Sequence, residues 1–592
     1  MAELREKYET HDFDVIVIGA GGAGLRAAIA SAQAGLSTAV VCKSLLGKAH
    51  TVMAEGGVAA SLGNVDPEDG WKTHFSDTMK GGKGINNWRM AEIFSKEAGD
   101  RVLELERWGA VFDRTPSGLI NQRPFGAHSY RRLCHIGDRT GLEIIRSLQD
   151  KGIHSGIEVF MEYTMTRLLQ DSEGRVCGAF GYRREDGRFV VFKAKAVVMS
   201  TGGWGKVFKV TSNSWESTGD GLAMAFEAGA ELLDLEFVQF HPTGMVWPPG
   251  ARGILVTEAV RGEGGRLKNS EGRRFMEDYD SERMELSARD IVARAIYKEV
   301  QAGRGTEHGG AYLDITHRGA DYIKKKLPSM HEQFLKLADV DITKGPMEVG
   351  PTIHYVMGGI KVDPESAAAS VPGLFAAGEV AGGLHGANRL GGNSLSDILV
   401  FGRRAGEGAA AFAQGRGEIG AIDESLIERE EKLLLQPFAN YEAGKRENPF
   451  TFMADLQEVM GEYNGLARTG EGLEEGLKQM LGLKERVNDL AVADSRMFNP
   501  GWHSARDQRF MVEVCEAMIR CGIERAESRG GHWRLDHLDL DPEWGKHNLI
   551  TTLEGDEVKI EKRRAPEMPA ELAALIDDKP AVSQAALQVT KA

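Results

Sequence analysis

Cysteine is scarce in this chain. Cys42, Cys134, Cys177, Cys515 and Cys521 are the only five in 592 residues, and no two form a CxxC or CxxCH pattern. That excludes an iron–sulfur relay or a c-type haem carried by these residues themselves. Cys515 and Cys521 fall on one predicted helix, and all five read as buried thiols of a reducing cytoplasm; no metal site is expected. Long apolar runs are missing too. No stretch of about 18 apolar residues occurs, so no membrane-spanning helix is expected. The segment Met1 to Asp14 is charged, without the apolar core of a leader or a twin-arginine pair. Basic residues are in deficit: 72 Lys and Arg stand against 87 Asp and Glu, a net charge of -15. Nucleic-acid binding rests largely on cations at phosphates, so a nucleic-acid partner is not expected. Local basic pockets for a small anion remain compatible with this balance.

Glycine, in contrast, is abundant at 73 residues, and it is concentrated in motifs. The chain is too long for one core, so several domains are expected. Val15 to Ile18 is a short apolar run that predicts a buried parallel strand. Gly19-Ala20-Gly21-Gly22-Ala23-Gly24 follows, then an alanine-rich helix from Leu25 to Ala34 ended by Gly35, then a strand over Thr38 to Val41. This is a βαβ unit with GxGxxG at its first crossover. A second block of similar character lies far downstream. Leu374 to Glu379 reads as a strand ending at a ligand, and Gly391-Gly392-Asn393-Ser394-Leu395 opens a helix through Ala410.

The expected architecture is α/β: a Rossmann-like FAD-type nucleotide domain over 1–245 and 356–423, interrupted by an inserted α+β capping domain over 246–355. A helical domain over 424–534 follows, with apolar spacing such as Leu456, Val459, Met460 and Tyr463. A small C-terminal domain with a tail occupies 535–592. The last dozen residues are small and polar, a composition that favours disorder.

The three fingerprint glycines have separate mechanical roles: the tight turn, backbone approach to a pyrophosphate, and close helix–strand packing. The acidic residue usual at the end of the second strand is absent, its place held by Cys42 or Lys43. That counts against an ordinary NAD dehydrogenase. The absence of a CxxxxC redox pair counts against a pyridine-nucleotide disulfide reductase.

The run from Lys43 through Ser44, His50, Thr51, Glu55, Gly56 and Gly57 to Val58 resembles the flavin-linking segment of the succinate dehydrogenase and fumarate reductase flavoprotein subunits. Alone, a histidine in a glycine-rich loop is more often a plain polar residue. The resemblance extends through Gln122–Gly126 with Asp138–Gly141, Ser217–Gly221, His241–Gly244, Thr257–Gly265, Ala288–Arg294, Pro351–Gly359, His385–Leu395 and Glu527–His532, covering roughly residues 12 to 550. It implies FAD bonded covalently to His50 through the flavin 8α-methyl group. It also places Asp220, Glu379, Asn393, Ser394 and Leu395 with the fingerprint residues at the cofactor. It implies that His241, Thr257, His354 and Arg389 bind a dicarboxylate, and that Arg289 moves a proton with Glu258 and Arg261 as its relay.

The residue types agree with those roles. An arginine holds a carboxylate through two parallel hydrogen bonds, and histidine and threonine donate to its oxygens. Arginine keeps its proton across ordinary pH, which suits an acid in fumarate reduction and demands a relay in succinate oxidation. Glu258 and Arg261 are three apart and share a face if their segment is helical. The plain alternatives are satisfied core histidines, an interdomain ion pair at Arg389, and a salt bridge from Arg289 to Asp290 or Glu285. The family also resembles L-aspartate oxidase, which lacks the covalent histidine, and more distantly adenylylsulfate reductase; an inactive scaffold would not need the whole constellation.

Glu55 is a departure toward the reductases. A carboxylate there is expected to disfavour an anionic reduced flavin. Finally, the resemblance implies that electrons pass to an iron–sulfur subunit, with membrane anchor subunits behind it and quinone beyond. It also implies a peripheral position on the cytoplasmic face of the membrane.

Overall fold

The computed structural model describes residues 7–577. The small polar C-terminal residues read above as disorder-favouring lie outside the described residues.

Strand β1 (Glu9–Ile18) feeds helix α1 (Gly22–Gln33), which returns to β2 (Thr38–Cys42); β3 (Glu158–Met161), β4 (Tyr163–Gln170), β5 (Val176–Arg183) and β6 (Phe189–Met199) complete the first part of the main sheet. Their order is β3-β2-β1-β6-β5-β4. Val15, Ile16 and Val17 are fully buried, as a parallel strand covered on both faces requires. β1 begins earlier than its apolar run predicts. Its polar first half pairs with β6 from Glu9↔Val190 onward, because the longer β6 offers a ladder along the whole length.

The chain then leaves the main sheet. Strands β7 (Val238–Met245), β8 (Arg266–Lys268), β9 (Ala311–Asp314) and β10 (Met347–Val356), with helices α2 (Ala259–Gly262) and α3 (Arg289–Glu299), build a cap. Its antiparallel sheet has the order β7-β10-β9-β8. It encloses its own core, including Phe275, Ile296, Leu313, Met330 and Val349. β7 belongs to this sheet, so the inserted sheet starts before residue 246. No turn residue marks that crossing, which made it invisible to sequence punctuation. β11 (Leu374–Ala376) brings the chain back, parallel to the end of β6 through Leu374↔Val197 and Ala376↔Met199. Helix α4 (Asn393–Gly415) then lies along α1, and the two pack closely.

Helices α5 (Glu424–Glu442), α6 (Pro449–Tyr463), α7 (Gly470–Arg486) and α8 (Pro500–Glu524) form the helical region. Cys515 and Cys521 both sit on α8, buried. The residues beyond 535 do not stand alone. The hairpin His547–Glu554 and Glu557–Arg564 pairs with Leu232–Leu233 through Leu232↔Thr551 and Leu233↔Ile550, so the C-terminal segment completes a sheet begun some three hundred residues earlier.

Candidate active site

A cleft with roughly 1320 Å³ of atom-free space opens at the C-terminal ends of β1 and β2, where open parallel sheets bind nucleotides. The fingerprint glycines sort by what surrounds them. Gly19 has φ +109°, and a Cβ there would stand 2.2 Å from the Ser200 carbonyl oxygen. A Cβ on Gly24 would stand 1.9 Å from the Gly19 carbonyl, so that glycine locks α1 against β1. Gly22 lies under Ile398, whose side chain a Cβ would meet at 2.3 Å, while at Gly21 the nearest atoms are 3.6 Å away. Gly21 therefore keeps an open face toward the cleft, which Ala20 and Ala23 also line.

The walls suit a long polar cofactor. His50 Nδ1, Ser200 Oγ, Thr201 Oγ1, Ser214 Oγ, Glu216 Oε1 and Arg389 Nε are all withdrawn from solvent without a partner among the described residues. Native proteins leave few such atoms unsatisfied, so a run of them along one cleft fits the hydroxyls, phosphates and ring edges of FAD.

His50 opens a short 3-10 turn, His50–Met53. Burial and the nearby Arg389 push its imidazole down to about 4, so the ring is neutral at pH 7. Thr51 Oγ1 accepts from Gly22 N at 3.3 Å, laying this turn across the start of α1. Lys43 is held by its own protein: Nζ reaches Asp507 at 2.7 Å, Thr218 at 3.1 Å and Asp220 at 3.2 Å. It positions the cleft wall more than it offers a bare cation. Ser44, Asp220, Glu379, Ser394 and Leu395 also line the cleft. Burial raises Glu379 to about 7, although Val356 N donates to it at 3.1 Å.

Three expected cofactor residues stand elsewhere. The Asn393 side chain bonds Thr78 Oγ1 at 3.1 Å and the His74 ring at 3.1 Å, tying the start of α4 to a neighbouring helix. Gly56 lies under the Phe125 ring, and a Cβ on Gly57 would stand 2.8 Å from the Cys134 carbonyl. Both glycines shape the loop and do not line the cleft. Glu55 changes the electrostatic expectation. Burial, with Asp138 nearby, raises its carboxyl well above the usual range. It is then neutral at pH 7 and cannot repel an anionic flavin as a carboxylate would.

At the far end the cleft reaches His354 and Arg389, and there the cap contributes its residues. Arg289, at the start of α3, donates through Nε to Glu258 Oε2 at 2.8 Å and through Nη1 to Gln239 Oε1 at 2.9 Å. Arg389 Nη2 donates to the same Gln239 oxygen at 3.2 Å, and its Nη1 to Ser394 Oγ at 2.6 Å. Its guanidinium lies 4.2 Å from the Tyr355 ring centroid, a favourable cation–π stack. The His241 and His354 rings are 5.1 Å apart, and those of His354 and His50 6.4 Å. Ser212 Oγ lies 2.9 Å from His354 Nδ1 and Thr243 O 3.0 Å from His241 Nδ1, fixing both rings. Burial and nearby arginines or histidines push both imidazoles well below their usual value, so both are neutral donors at pH 7.

Glu258 caps α2, one turn before Arg261, and the two side chains are 3.6 Å apart. Burial pushes the Glu258 carboxyl up, but Arg289 and Arg261 outweigh it and hold it at about 2. Gly126 N donates to its other oxygen at 2.7 Å. Thr257 is buried beside it, accepting from Ala259 N at 3.3 Å. Burial and Arg289 lower Arg389 to about 9, which still leaves it charged at pH 7. The alternative partners of Arg289 do not materialise: Glu285 is taken by Arg274, and Asp290 by Lys83 and Asn388.

Gln239 was not singled out in the sequence. It precedes His241 by two along a strand, so alternation of side chains placed it on the same face, a signal that was available. Glu216 and Tyr355 gave no comparable signal, because only the folded chain brings them to the cleft.

Fold and cleft together define a flavoprotein whose dinucleotide domain carries an inserted cap. Family comparison agrees: "FAD binding domain" matches residues 14–395 and "Fumarate reductase flavoprotein C-term" residues 453–575. The chain is 46% identical over 545 residues to the fumarate reductase (CoM/CoB) flavin-family chain of Methanothermobacter marburgensis, covering 92% of this chain and 97% of that one. It is 36% identical over 601 residues to the succinate dehydrogenase flavoprotein subunit of Rickettsia bellii, covering 97% and 98%. The solved Sdh1 of Mycobacterium smegmatis in complex with UQ1 superposes with a TM-score of 0.85 at 53% identity, covering 94% of this chain and 95% of that one. This chain belongs to the family of succinate dehydrogenase and fumarate reductase flavoprotein subunits.

Proposed function

We propose that this chain interconverts succinate and fumarate where the FAD cleft meets the cap. The observation that carries this reading is the convergence of two arginines, Arg289 and Arg389, on one oxygen of Gln239 beside two neutral histidines. A small dicarboxylate needs a fixed cation and donors at both ends. Arg389 is placed to hold one carboxylate by paired hydrogen bonds, with His241, His354 and Thr257 as donors that add no further charge. Bound FAD supplies the hydride acceptor and donor.

The remaining chemistry is proton movement. In fumarate reduction Arg289 gives a proton to one alkene carbon while a hydride reaches the other, and Glu258 with Arg261 reloads it. In succinate oxidation the relay runs backward. Glu258 stays charged, so it offers a proton a way in or out without itself storing it.

His50 is the proposed point of covalent attachment. A neutral imidazole with an unpartnered buried nitrogen on the cleft wall supports it. The direction that Glu55 suggested loses its basis, because a neutral carboxyl exerts no such bias. Electrons are proposed to pass to an iron–sulfur subunit, through membrane anchor subunits, and on to quinone, with this chain peripheral on the cytoplasmic face. Likeness to the Sdh1 complex with UQ1 supports that assembly. Among the described residues no helix is long and apolar enough to cross a membrane. The test is a flavin-loaded preparation assayed with dyes in both directions. Succinate-dependent dye reduction and fumarate-dependent dye oxidation are expected, and absence of both would leave only a scaffold role.

A further inference from the structure

The end of β2 poses a chemical question. In dinucleotide folds a carboxylate there accepts from the adenosine ribose, yet this strand ends in Cys42 followed by Lys43 and Ser44. Lys43 is fully engaged by Asp220, Asp507 and Thr218. The structure supplies a carboxylate from another place. Glu216, in the segment before the helix Asp220–Glu227, lines the cleft together with Cys42, Lys43, Ser44 and Ser217. The Ser44 hydroxyl is within hydrogen-bonding reach of its carboxylate. Its Oε1 is withdrawn from solvent and has no partner among the described residues, a costly state for an acceptor. The neighbouring Asp220, by contrast, is committed to Lys43.

We infer that Glu216 accepts the hydroxyls of the adenosine ribose of the bound cofactor, doing from a separate segment what the end of β2 does in other dinucleotide folds. The acceptor is anionic and shielded, so it favours an unphosphorylated ribose and repels a ribose phosphate. This rests on the FAD reading of the cleft. The role lies at the adenosine end and is independent of the chemistry at Arg289 and His50.

The test uses the full chain carrying His50→Ser, in which flavin is not retained by a bond. Dissociation constants are read by flavin fluorescence for FAD and for an FAD analogue whose adenosine is 2′,3′-dideoxy. The parent is expected to hold FAD about ten- to a hundredfold more tightly than the analogue, the range for hydrogen bonds to a charged group. Glu216→Ala is expected to bind the two within about twofold, and the isosteric Glu216→Gln to keep only part of the discrimination. Equal binding of FAD and analogue by the parent overturns the assignment, whether or not the alanine variant folds. So does undiminished discrimination by either variant. Failure of the parent to bind FAD at all would instead sink the FAD reading.

Discussion

Arg289 and Glu258 are joined by a 2.8 Å bond from Nε to Oε2, inside a shell where both side chains are nearly inaccessible to water. The two come from different elements of the cap, α3 and the residue that caps α2. A buried pair of this kind contributes little net stability, but removing one partner leaves an uncompensated charge and costs about 3–5 kcal/mol. Its value here is position, since it aims a proton-carrying guanidinium toward the substrate end of the cleft.

Arg289→Gln is expected to lower turnover in both directions by about 10²- to 10⁴-fold, the usual contribution of a general acid. Bound flavin, read from the visible spectrum, should be retained. Near-normal turnover in the variant would remove Arg289 from the proton role.

Gln239→Leu removes the oxygen shared by Arg289 and Arg389. Both guanidinium groups then lose a fixed acceptor, and KM for succinate and fumarate should rise by about tenfold or more, the scale of one or two hydrogen bonds to charged groups. A variant with unchanged KM and kcat would show that the arginines are held by other contacts.

His50→Ser should yield protein whose yellow colour is lost entirely to the supernatant on acid precipitation. Succinate oxidation should suffer more than fumarate reduction, because a covalent link that raises the flavin potential aids the uphill acceptance of electrons. Equal loss in both directions would retain the bond and discard the tuning.

Glu55→Gln tests whether the residue is neutral. Burial raises its carboxyl well above the usual range, so the amide replaces one uncharged group with another. The flavin midpoint potential at pH 7 should move by less than about 30 mV, a tenfold effect for a two-electron couple. A larger positive shift would mean that a negative charge had been removed.

Acid sensitivity follows from buried histidines. His128 is pushed down from 6.5 to about 4 by burial and by Arg132, while its ring bonds the Gly391 carbonyl at 2.8 Å. The unfolded chain takes a proton below about 6.5 that the folded chain refuses until about 4. Stability is therefore present above pH 6.5 and is lost as pH falls through that window, by about 3 kcal/mol when complete. Urea midpoints of the wild type should drop between pH 7 and pH 5, and His128→Asn should flatten that slope. An unchanged slope in the variant would place the acid sensitivity elsewhere.

The local motifs were legible because each obeys short-range rules. GxGxxG between a strand and a helix, the apolar Val15 to Ile18, and the glycine that opens α4 all express the backbone conformation their neighbours need. The chemistry-bearing residues were legible by type and by family resemblance, from His50 and His241 to Arg389. Tertiary structure alone decided who faces whom. Arg289 met Glu258 in place of Asp290 or Glu285, and Asn393 turned into the core while Ser394 and Leu395 faced the cleft. Gln239 came to bridge two arginines, and Glu216 filled a place that β2 left without a carboxylate. Burial decided the charges as well, holding Glu258 ionised among arginines and Glu55 neutral where no cation offsets its desolvation. Sequence spacing carries neither distance nor desolvation, and both arise only when segments hundreds of residues apart are packed around one cleft.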